Sequence, residues 1–187
     1  MNTIVFFLEE KSAEVMLKGL LPRLLPMSLH IRYIVFEGKQ DLEKRLPKKL
    51  NSWNQPDCLF VVLRDQDSGD CVSIRNNLDT ICVNSGKPET LIRIAIHELE
   101  SWYLGDLAAV ESGLKIKKLA QLQHKKKFRN PDKLANPCQE LKKITSNRYQ
   151  KVLGSKAIGC HLSLNENSSY SYQKFISGIK ALCEKYD

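Results

Sequence analysis

Several features that mark whole classes of protein are missing from this chain of 187 residues. It has no run of about 18 apolar residues, so we expect no membrane-spanning helix. Its first residues lack a basic segment and a small-residue cleavage site, and acids follow at Glu9 and Glu10, which argues against a signal peptide. We therefore expect a cytoplasmic protein.

The common catalytic and cofactor motifs are also missing. There is no phosphate-binding P-loop, no glycine fingerprint for dinucleotides and no Ser/His/Asp arrangement. IHELESW resembles a zinc-protease motif, but that motif needs a second histidine four residues after His97, where this chain has Ser101. The six cysteines form no CxxC pair, so we expect thiols rather than a structural zinc site.

Charge is distributed unevenly. Residues 1–100 carry 13 Lys and Arg against 14 Asp and Glu, whereas residues 101–187 carry 16 against 7. Residues 1–100 are thus nearly neutral and residues 101–187 strongly basic, which suggests that the two parts have different functions.

Apolar segments alternate with amphipathic ones in residues 1–112. Strands are predicted at 2–8, 31–38 and 58–63, with a fourth that begins at 90 and continues as a helix to 112; helices are predicted at 9–26, 39–53 and 70–86. Ser12 is a candidate N-cap, Pro47 could interrupt the second helix, and Gly86 ends the third. We predict an α/β fold with a mostly parallel sheet flanked by helices.

Residues 113–187 are expected to form a basic, mainly helical C-terminal extension that packs on this core, giving one compact domain overall. Residues 165–172 are polar and turn-like, and an amphipathic helix is predicted at 172–186.

Carboxylates follow every predicted strand. They are Glu9 and Glu10, Glu37, Asp65 and Asp67, and Glu98 and Glu100. The carboxyl ends of parallel strands meet at one edge of a sheet, where ligands bind. Two carboxylates about 4 Å apart repel by about 4 kcal/mol at an effective dielectric near 20, so such a group needs solvent, protons or a cation. Oxygen ligands suit Mg²⁺ or Mn²⁺.

We predict that Glu9, Asp65 and Asp67 are catalytic and, with Glu100, hold the metal ion, while Glu10 and Glu98 are auxiliary acids. Structural explanations without metal or catalysis also fit these acids. Asp-x-Asp suits a solvated turn, and acids are favoured at an exposed helix N-terminus.

The basic residues predict contact with the phosphate backbone of nucleic acid. The candidates are Lys125, Lys126, Lys127, Arg129, Lys151, Lys156 and His161. Dense lysine runs are also common on solvated faces, and a lone histidine is often structural.

Two segments resemble motifs of the TOPRIM-like fold. FFLEEKSAEVML resembles its strand ending in a glutamate, and VVLRDQD resembles its strand ending in Asp-x-Asp. The resemblance implies that Glu9 acts as general acid/base or metal contact and that Asp65 and Asp67 hold Mg²⁺. Glu10 replaces the usual glycine, which makes the turn bulkier and more acidic. Glu37 in FEGK follows the second strand, out of order, and is a decoy or an auxiliary.

Further segments, including LLPRLLP, IRIAIHELESWYLGD and GSKAIGCHLSL, look like the bacterial TOPRIM-related family catalogued as domain of unknown function 4276, over nearly the whole chain. Relatives include the overcoming-lysogenization-defect nucleases, and several sit beside an AAA or ABC-type ATPase in defence against phage. The resemblance implies a metal-dependent nuclease; the alternative is a non-catalytic, nucleic-acid-binding adaptor that docks on a partner ATPase.

Overall fold

The computed structural model describes residues 3–184, and a sheet of four parallel strands lies at its centre. The strands are β1 (Thr3–Leu8), β2 (His30–Val35), β3 (Cys58–Asp65) and β4 (Leu91–Ala95), in the order β2-β1-β3-β4. Each neighbouring pair is parallel. The α/β prediction with a parallel, helix-flanked sheet is confirmed; predicted strand residue Asn2 lies outside the described range.

Helices cover both faces of this sheet. They are α1 (Lys11–Leu20), α2 (Lys39–Asn51), α3 (Cys71–Asn84), α4 (Glu100–Leu104), α5 (Leu107–Leu114), α6 (Pro137–Ile144), α7 (Lys151–Gly159) and α8 (Tyr170–Glu184). Short 3-10 helices cover Leu21–Arg23, Ala120–His124, Lys126–Phe128 and Pro131–Lys133. No helix within residues 3–184 combines the length and apolarity that crossing a membrane would need.

The two faces of the sheet carry separate hydrophobic clusters because successive strand residues point in opposite directions. Val5 and Phe7 pack in one cluster with leucines of α2 and α3. Ile4, Phe6 and Leu8 belong to the other, which contains side chains of α1, α5, α7 and α8. All of β1 is therefore buried, as its unbroken apolar sequence predicts.

The chain order of the strands creates a crevice between β1 and β3. The connection through α1 carries the chain from β1 to β2 on one side, and β3 pairs with β1 on the other. Ligands in open parallel sheets bind outside the carboxyl ends of the strands at such a reversal of direction. Residues that follow β1 and β3 lie at this place.

The C-terminal part packs directly on the core. Helix α7 lies against α1, and the close approach requires Gly159, because a Cβ there would lie 2.4 Å from the carbonyl oxygen of Met16. Lys151, the first residue of α7, is ion-paired with Glu10 just before α1, and a Cβ at Gly19 near the end of α1 would lie 2.6 Å from the Cys160 nitrogen just after α7, so the two helices run in the same direction. Their N-termini thus share the edge where the strands end.

Two local predictions are wrong. Ser12 does not cap α1: Glu10 holds the N-cap position, and the Ser12 hydroxyl donates to its carboxylate at 2.6 Å. Pro47 does not interrupt α2, which continues to Asn51 because its buried leucines keep it against the sheet.

Gly86 ends α3 as predicted. Its φ is +71°, and the Lys87 N–H donates to the Cys82 carbonyl at 2.9 Å, closing the last turn.

Other boundaries also differ. The chain after β4 forms two helices, α4 and α5, rather than one, because the Asp106 carboxylate accepts from the Ala109 N–H at 3.0 Å and begins α5. Helix α8 starts at Tyr170, inside the segment predicted as turn-like. Its predicted last residues, 185 and 186, lie outside the described range.

Candidate functional site

Five carboxylates come together where the strands of the sheet end, and we call them the acidic cluster. They are Glu9, Glu10, Asp65, Glu98 and Glu100. Each of the five was singled out in the sequence as an acid that follows a strand. The cluster occupies the crevice between β1 and β3 and extends towards the end of β4.

A hydrogen bond between Glu9 and Asp65 links the ends of β1 and β3. The Asp65 N–H donates to Glu9 Oε2 at 3.0 Å, and Arg64 Nε lies 3.9 Å from the same oxygen. Burial raises the pKa of Glu9 above its usual value; the Asp65 N–H and Arg64 oppose this, while the charge of Asp67 adds to it. Glu9 is thus held in a fixed position with an increased affinity for a proton.

Asp65 is the last residue of β3, and its side chain is almost removed from solvent. The residue is 8% exposed. Burial raises its pKa well above the usual range, the negative charges of Glu100, Glu10 and Glu9 raise it further, and Lys151 acts in the opposite direction. A carboxylate in this place is electrostatically unfavourable unless a cation or a proton accompanies it.

Glu100 begins α4 and is 1% exposed. Tyr149 donates its hydroxyl to Glu100 Oε1 at 2.8 Å, whereas Oε2 has no hydrogen-bond partner within residues 3–184. Burial raises the pKa of Glu100, while Lys151 and the Tyr149 hydroxyl oppose the rise. An unpaired buried carboxylate oxygen is costly, and this makes Oε2 a strong candidate for a ligand atom.

Lys151 supplies the positive charge closest to these acids. Its Nζ lies 2.7 Å from Glu10 Oε1. Burial lowers the pKa of Lys151, but the hydrogen bond to Glu10 and the charges of Glu10, Glu100 and Asp65 outweigh that effect and raise it. The lysine was predicted to contact nucleic acid; the structure places it over the acidic cluster.

Glu98 and Glu100 also meet a cysteine. Ligand atoms of Glu98, Glu100 and Cys138 lie within 4.8 Å of one another, a spacing that could hold a metal ion. The Cys138 N–H donates to Glu98 Oε2 at 2.8 Å, so Glu98 also caps the start of α6. Burial and then the charge of Glu100 raise the pKa of the Cys138 thiol to about 11.

Asp67 lies at the edge of the cluster, in the loop beyond β3, and its charge still acts on Glu9. Strand β3 ends at Asp65, and Asp67 has a φ of +54°, so the alternation that would point both side chains to one side does not continue. The Asp67 carboxylate pairs with Lys39 at 2.7 Å, and its N–H donates to the His97 carbonyl at 2.7 Å. It borders an open cavity of ≈ 500 Å³ that Glu98 also lines.

The predicted basic contacts lie on the surface. Lys125, Lys126, Lys127 and Arg129 are exposed, and Lys127 is paired with Glu140. The aromatic residue among them, Phe128, is buried in the core and is not available to stack on a base.

The other residues that the sequence singled out lie away from both the acidic cluster and the lysines of residues 125–127. Lys156 is exposed on α7, and His161 is exposed beside a separate cavity of ≈ 420 Å³ that Asp106 and Ser163 also line. Glu37 is exposed at the end of β2.

Sequence reasoning missed Tyr149 and Cys138. Both come from the C-terminal part, about 40 to 50 positions from Glu98 and Glu100. Tyr149 lies two positions before the basic candidate Lys151, and nothing in the neighbouring sequence signals a bond to a distant carboxylate.

Comparison with protein families places the chain. The model of the family described as "Domain of unknown function (DUF4276)" matches residues 8–180. The chain belongs to this family. The match includes β2, β3 and β4, the last residue of β1 and the whole acidic cluster. Among curated proteins and among solved structures, no match to this DUF4276 member was found.

Proposed function

We propose that this DUF4276 protein is a metal-dependent nuclease, which hydrolyses phosphodiester bonds with Mg²⁺ or Mn²⁺ held by the acidic cluster. One observation carries the proposal: Asp65 and Glu100 are buried together at the crevice of the sheet, and Glu100 Oε2 has no hydrogen-bond partner in the described chain. Buried carboxylates are normally paired or bound to metal.

The charges near the cluster favour a cation. Five carboxylates face two basic side chains, Lys151 and Arg64, and Arg64 also pairs with Glu43. When ionised, the five carboxylates outnumber these cations, and the raised pKa values of Glu9, Asp65 and Glu100 show that burial and mutual repulsion oppose that state unless a cation is bound. Carboxylate oxygens are the ligands that Mg²⁺ and Mn²⁺ prefer, and the donors present fit such an ion.

We assign the ligand positions to Asp65, Glu98 and Glu100, with Glu9 beside them. When bound, a divalent ion supplies positive charge that stabilises the negative charge developing on a phosphate. Glu9 is suited to proton transfer, because its raised pKa brings it closer to neutrality and its bond to the Asp65 N–H fixes its position. Cys138 lies beside the oxygens as a thiol, and Asp67 has an outer role in this assignment.

The resemblance of the Glu9 and Asp65 segments to TOPRIM motifs supports the same chemistry. It also suggests a role as the effector of an ATPase-linked defence against phage, with an AAA or ABC-type ATPase as a separate chain.

The first experiment measures metal binding. Calorimetric titration with Mn²⁺ should show saturable binding to the wild type that is lost or strongly weakened in Asp65→Asn and Glu100→Gln. Glu37→Gln is the matched control, since Glu37 is an exposed acid at the end of another strand. Asp67→Asn separates the two ligand sets: near-normal binding favours the assignment above, and lost binding restores the Asp-x-Asp site. Wild-type protein that binds no Mn²⁺ contradicts the proposal.

The second experiment measures cleavage. Labelled single- and double-stranded DNA and RNA are incubated with Mn²⁺ or Mg²⁺, and the products are compared with those from Glu9→Gln and Glu37→Gln. We expect Glu9→Gln to lose cleavage while circular dichroism shows an unchanged fold. Cleavage by Glu9→Gln at the wild-type rate would remove Glu9 from the mechanism.

One observation favours the adaptor as a second candidate. Glu10, in the place of the usual glycine of the TOPRIM motif, draws Lys151 to the cluster, where an ammonium group supplies part of the charge that a metal ion would bring. The adaptor interpretation expects nucleic-acid binding that depends on salt but not on Mg²⁺ or Mn²⁺, and no cleavage under any condition.

A further inference from the structure

A cleft with three basic residues lies at the free edge of the sheet. It has a volume of ≈ 440 Å³ and runs along β4 between α3 and α8. Arg75 of α3, Arg93 of β4, and Lys174 and Tyr170 of α8 line it. None of these residues was a sequence candidate.

Arg93 is fixed in the wall of the cleft. Its Nε donates to the Lys174 carbonyl and its Nη1 to the Ile92 carbonyl, each at 2.9 Å. The guanidinium lies against the backbone of α8 at Gly178, where a Cβ would come within 2.2 Å of Nη2. Nε and Nη1 thus hold the guanidinium in place, and Nη2 donates no hydrogen bond within residues 3–184.

Within the described residues, no carboxylate forms an ion pair with Arg75, Arg93 or Lys174. Burial lowers the pKa of Arg93 and the charge of Arg75 lowers it further, so the two arginines lie close enough to repel each other. Within residues 3–184, no carboxylate lines the cleft. The nearby Asp70 and Asp132 instead accept the N–H groups of Ser73 and Ser171, at 2.7 Å each.

An exposed aromatic ring stands beside these charges. Tyr170 is 61% exposed, although most large apolar or aromatic side chains here are buried, and Lys174 Nζ lies 5.0 Å from the centre of its ring. Cationic grooves with exposed aromatic rings are how proteins hold single-stranded nucleic acid: the cations contact phosphates and the rings stack on bases.

The cleft adjoins the acidic cluster. Ile96 lines the cleft, and the next two residues of the chain, His97 and Glu98, line the cavity beside the cluster. On the other side, Cys71 of the cleft follows Gly69 of that cavity by two positions. A single strand of nucleic acid that lies in the cleft could therefore continue into the cavity beside the acidic cluster.

We propose that this cleft binds a single-stranded segment of nucleic acid, with phosphates on Arg75, Arg93 and Lys174 and a base on Tyr170. The proposal rests on the proposed function in taking nucleic acid as the ligand. It adds the surface that holds the strand and leads it to the acidic cluster.

The test is fluorescence anisotropy of a labelled oligothymidine with the full chain in EDTA, where neither metal nor cleavage is needed. Arg75→Ala/Lys174→Ala should weaken binding and reduce the slope of log K against log salt by about 1.4, since each lost phosphate contact accounts for about 0.7 on single strands. Tyr170→Ala should weaken binding by at least about fivefold. Arg93 is left unchanged because it also packs against α8.

Lys44→Ala/Lys48→Ala is the control, because it removes the same charge from exposed positions on α2. Three outcomes overturn the proposal. The control variant loses binding as much as the cleft variants do, the cleft variants bind as tightly as the wild type, or the wild type does not bind the oligonucleotide. Competition by thymidine monophosphate as strong as that by the oligonucleotide also overturns it and assigns the cleft to a free nucleotide. If these variants bind as tightly as the wild type while metal-dependent cleavage is intact, the cleft is rejected and the nuclease stands. If the variants weaken binding but the wild type neither binds Mn²⁺ nor cleaves any substrate, the nuclease is rejected and the cleft stands.

Discussion

Replacing Tyr149 by phenylalanine should expose the cost of the buried Glu100 carboxylate. Tyr149 is 2% exposed, and its hydroxyl donates to Glu100 Oε1 at 2.8 Å. The other oxygen, Oε2, already lacks a partner in the described chain. Phenylalanine keeps the ring and removes only the hydroxyl, so the carboxylate loses a donor while packing is preserved.

The magnitude follows from the charge on the acceptor. A hydrogen bond to a charged group contributes about 1.5–3 kcal/mol, against about 0.5–1.5 kcal/mol for a neutral pair. We therefore expect Tyr149→Phe to lower the free energy of unfolding of the metal-free protein by about 1.5–3 kcal/mol at mildly alkaline pH. The hydroxyl lowers the pKa of Glu100, so this loss is full where Glu100 is ionised and shrinks as pH falls through the pKa of Glu100.

Urea unfolding of wild type and variant across this pH range measures the effect. Tyr172→Phe is the matched control, because Tyr172 is as buried and donates to the neutral carbonyl of Ser163 at 2.9 Å. Its loss should be smaller and independent of the ionisation of Glu100. The reasoning is refuted if Tyr149→Phe costs no more than Tyr172→Phe, or if its cost does not change with pH.

Three further outcomes are expected. The pKa of Asp65 is raised in the folded protein, so the free energy of unfolding of the wild type falls as pH rises from the ordinary aspartate pKa through the raised one. Asp65→Asn should therefore be more stable than wild type at neutral pH, and its free energy of unfolding in urea should depend less on pH. A lower stability of the variant would contradict this. Gly159→Ala should lower the unfolding free energy by about 1–3 kcal/mol, since its Cβ would meet the Met16 carbonyl at 2.4 Å; an unchanged thermal midpoint would show that the helices can separate without cost. Lys151→Met removes the partner of Glu10, so Mn²⁺ should raise the melting temperature of this variant more than that of wild type; an equal rise would argue against charge compensation by the lysine.

Local pattern was sufficient for the strands, for most helices and for the parallel character of the sheet. The unbroken apolar run of β1 predicts a strand covered on both faces, and Gly86 predicts the end of α3 because few other residues accept its φ. Local pattern failed where contacts between distant parts of the chain determine the structure. Pro47 is tolerated within α2 because burial of the helix against the sheet outweighs the destabilising effect of a proline inside a helix.

The candidate site shows the same division. That acids follow each strand is visible in the sequence, and since parallel strands end at one edge, the grouping of Glu9, Asp65 and Glu100 could be anticipated. The position of Asp67 at the edge of the cluster could not, because it depends on where β3 ends and on a positive φ in the loop beyond.

The sequence by itself determined the sheet, its apolar strands and the acids at their ends, since these depend on residues close together in the chain. Only the tertiary structure decided that Tyr149 and Cys138 reach the acidic cluster and that Lys151 supplies its counter-charge. It also decided that Arg75, Arg93 and Tyr170 line one cleft. The packing of α6, α7 and α8 on the core sets these juxtapositions, and such packing joins positions whose separation in the chain carries no local signal.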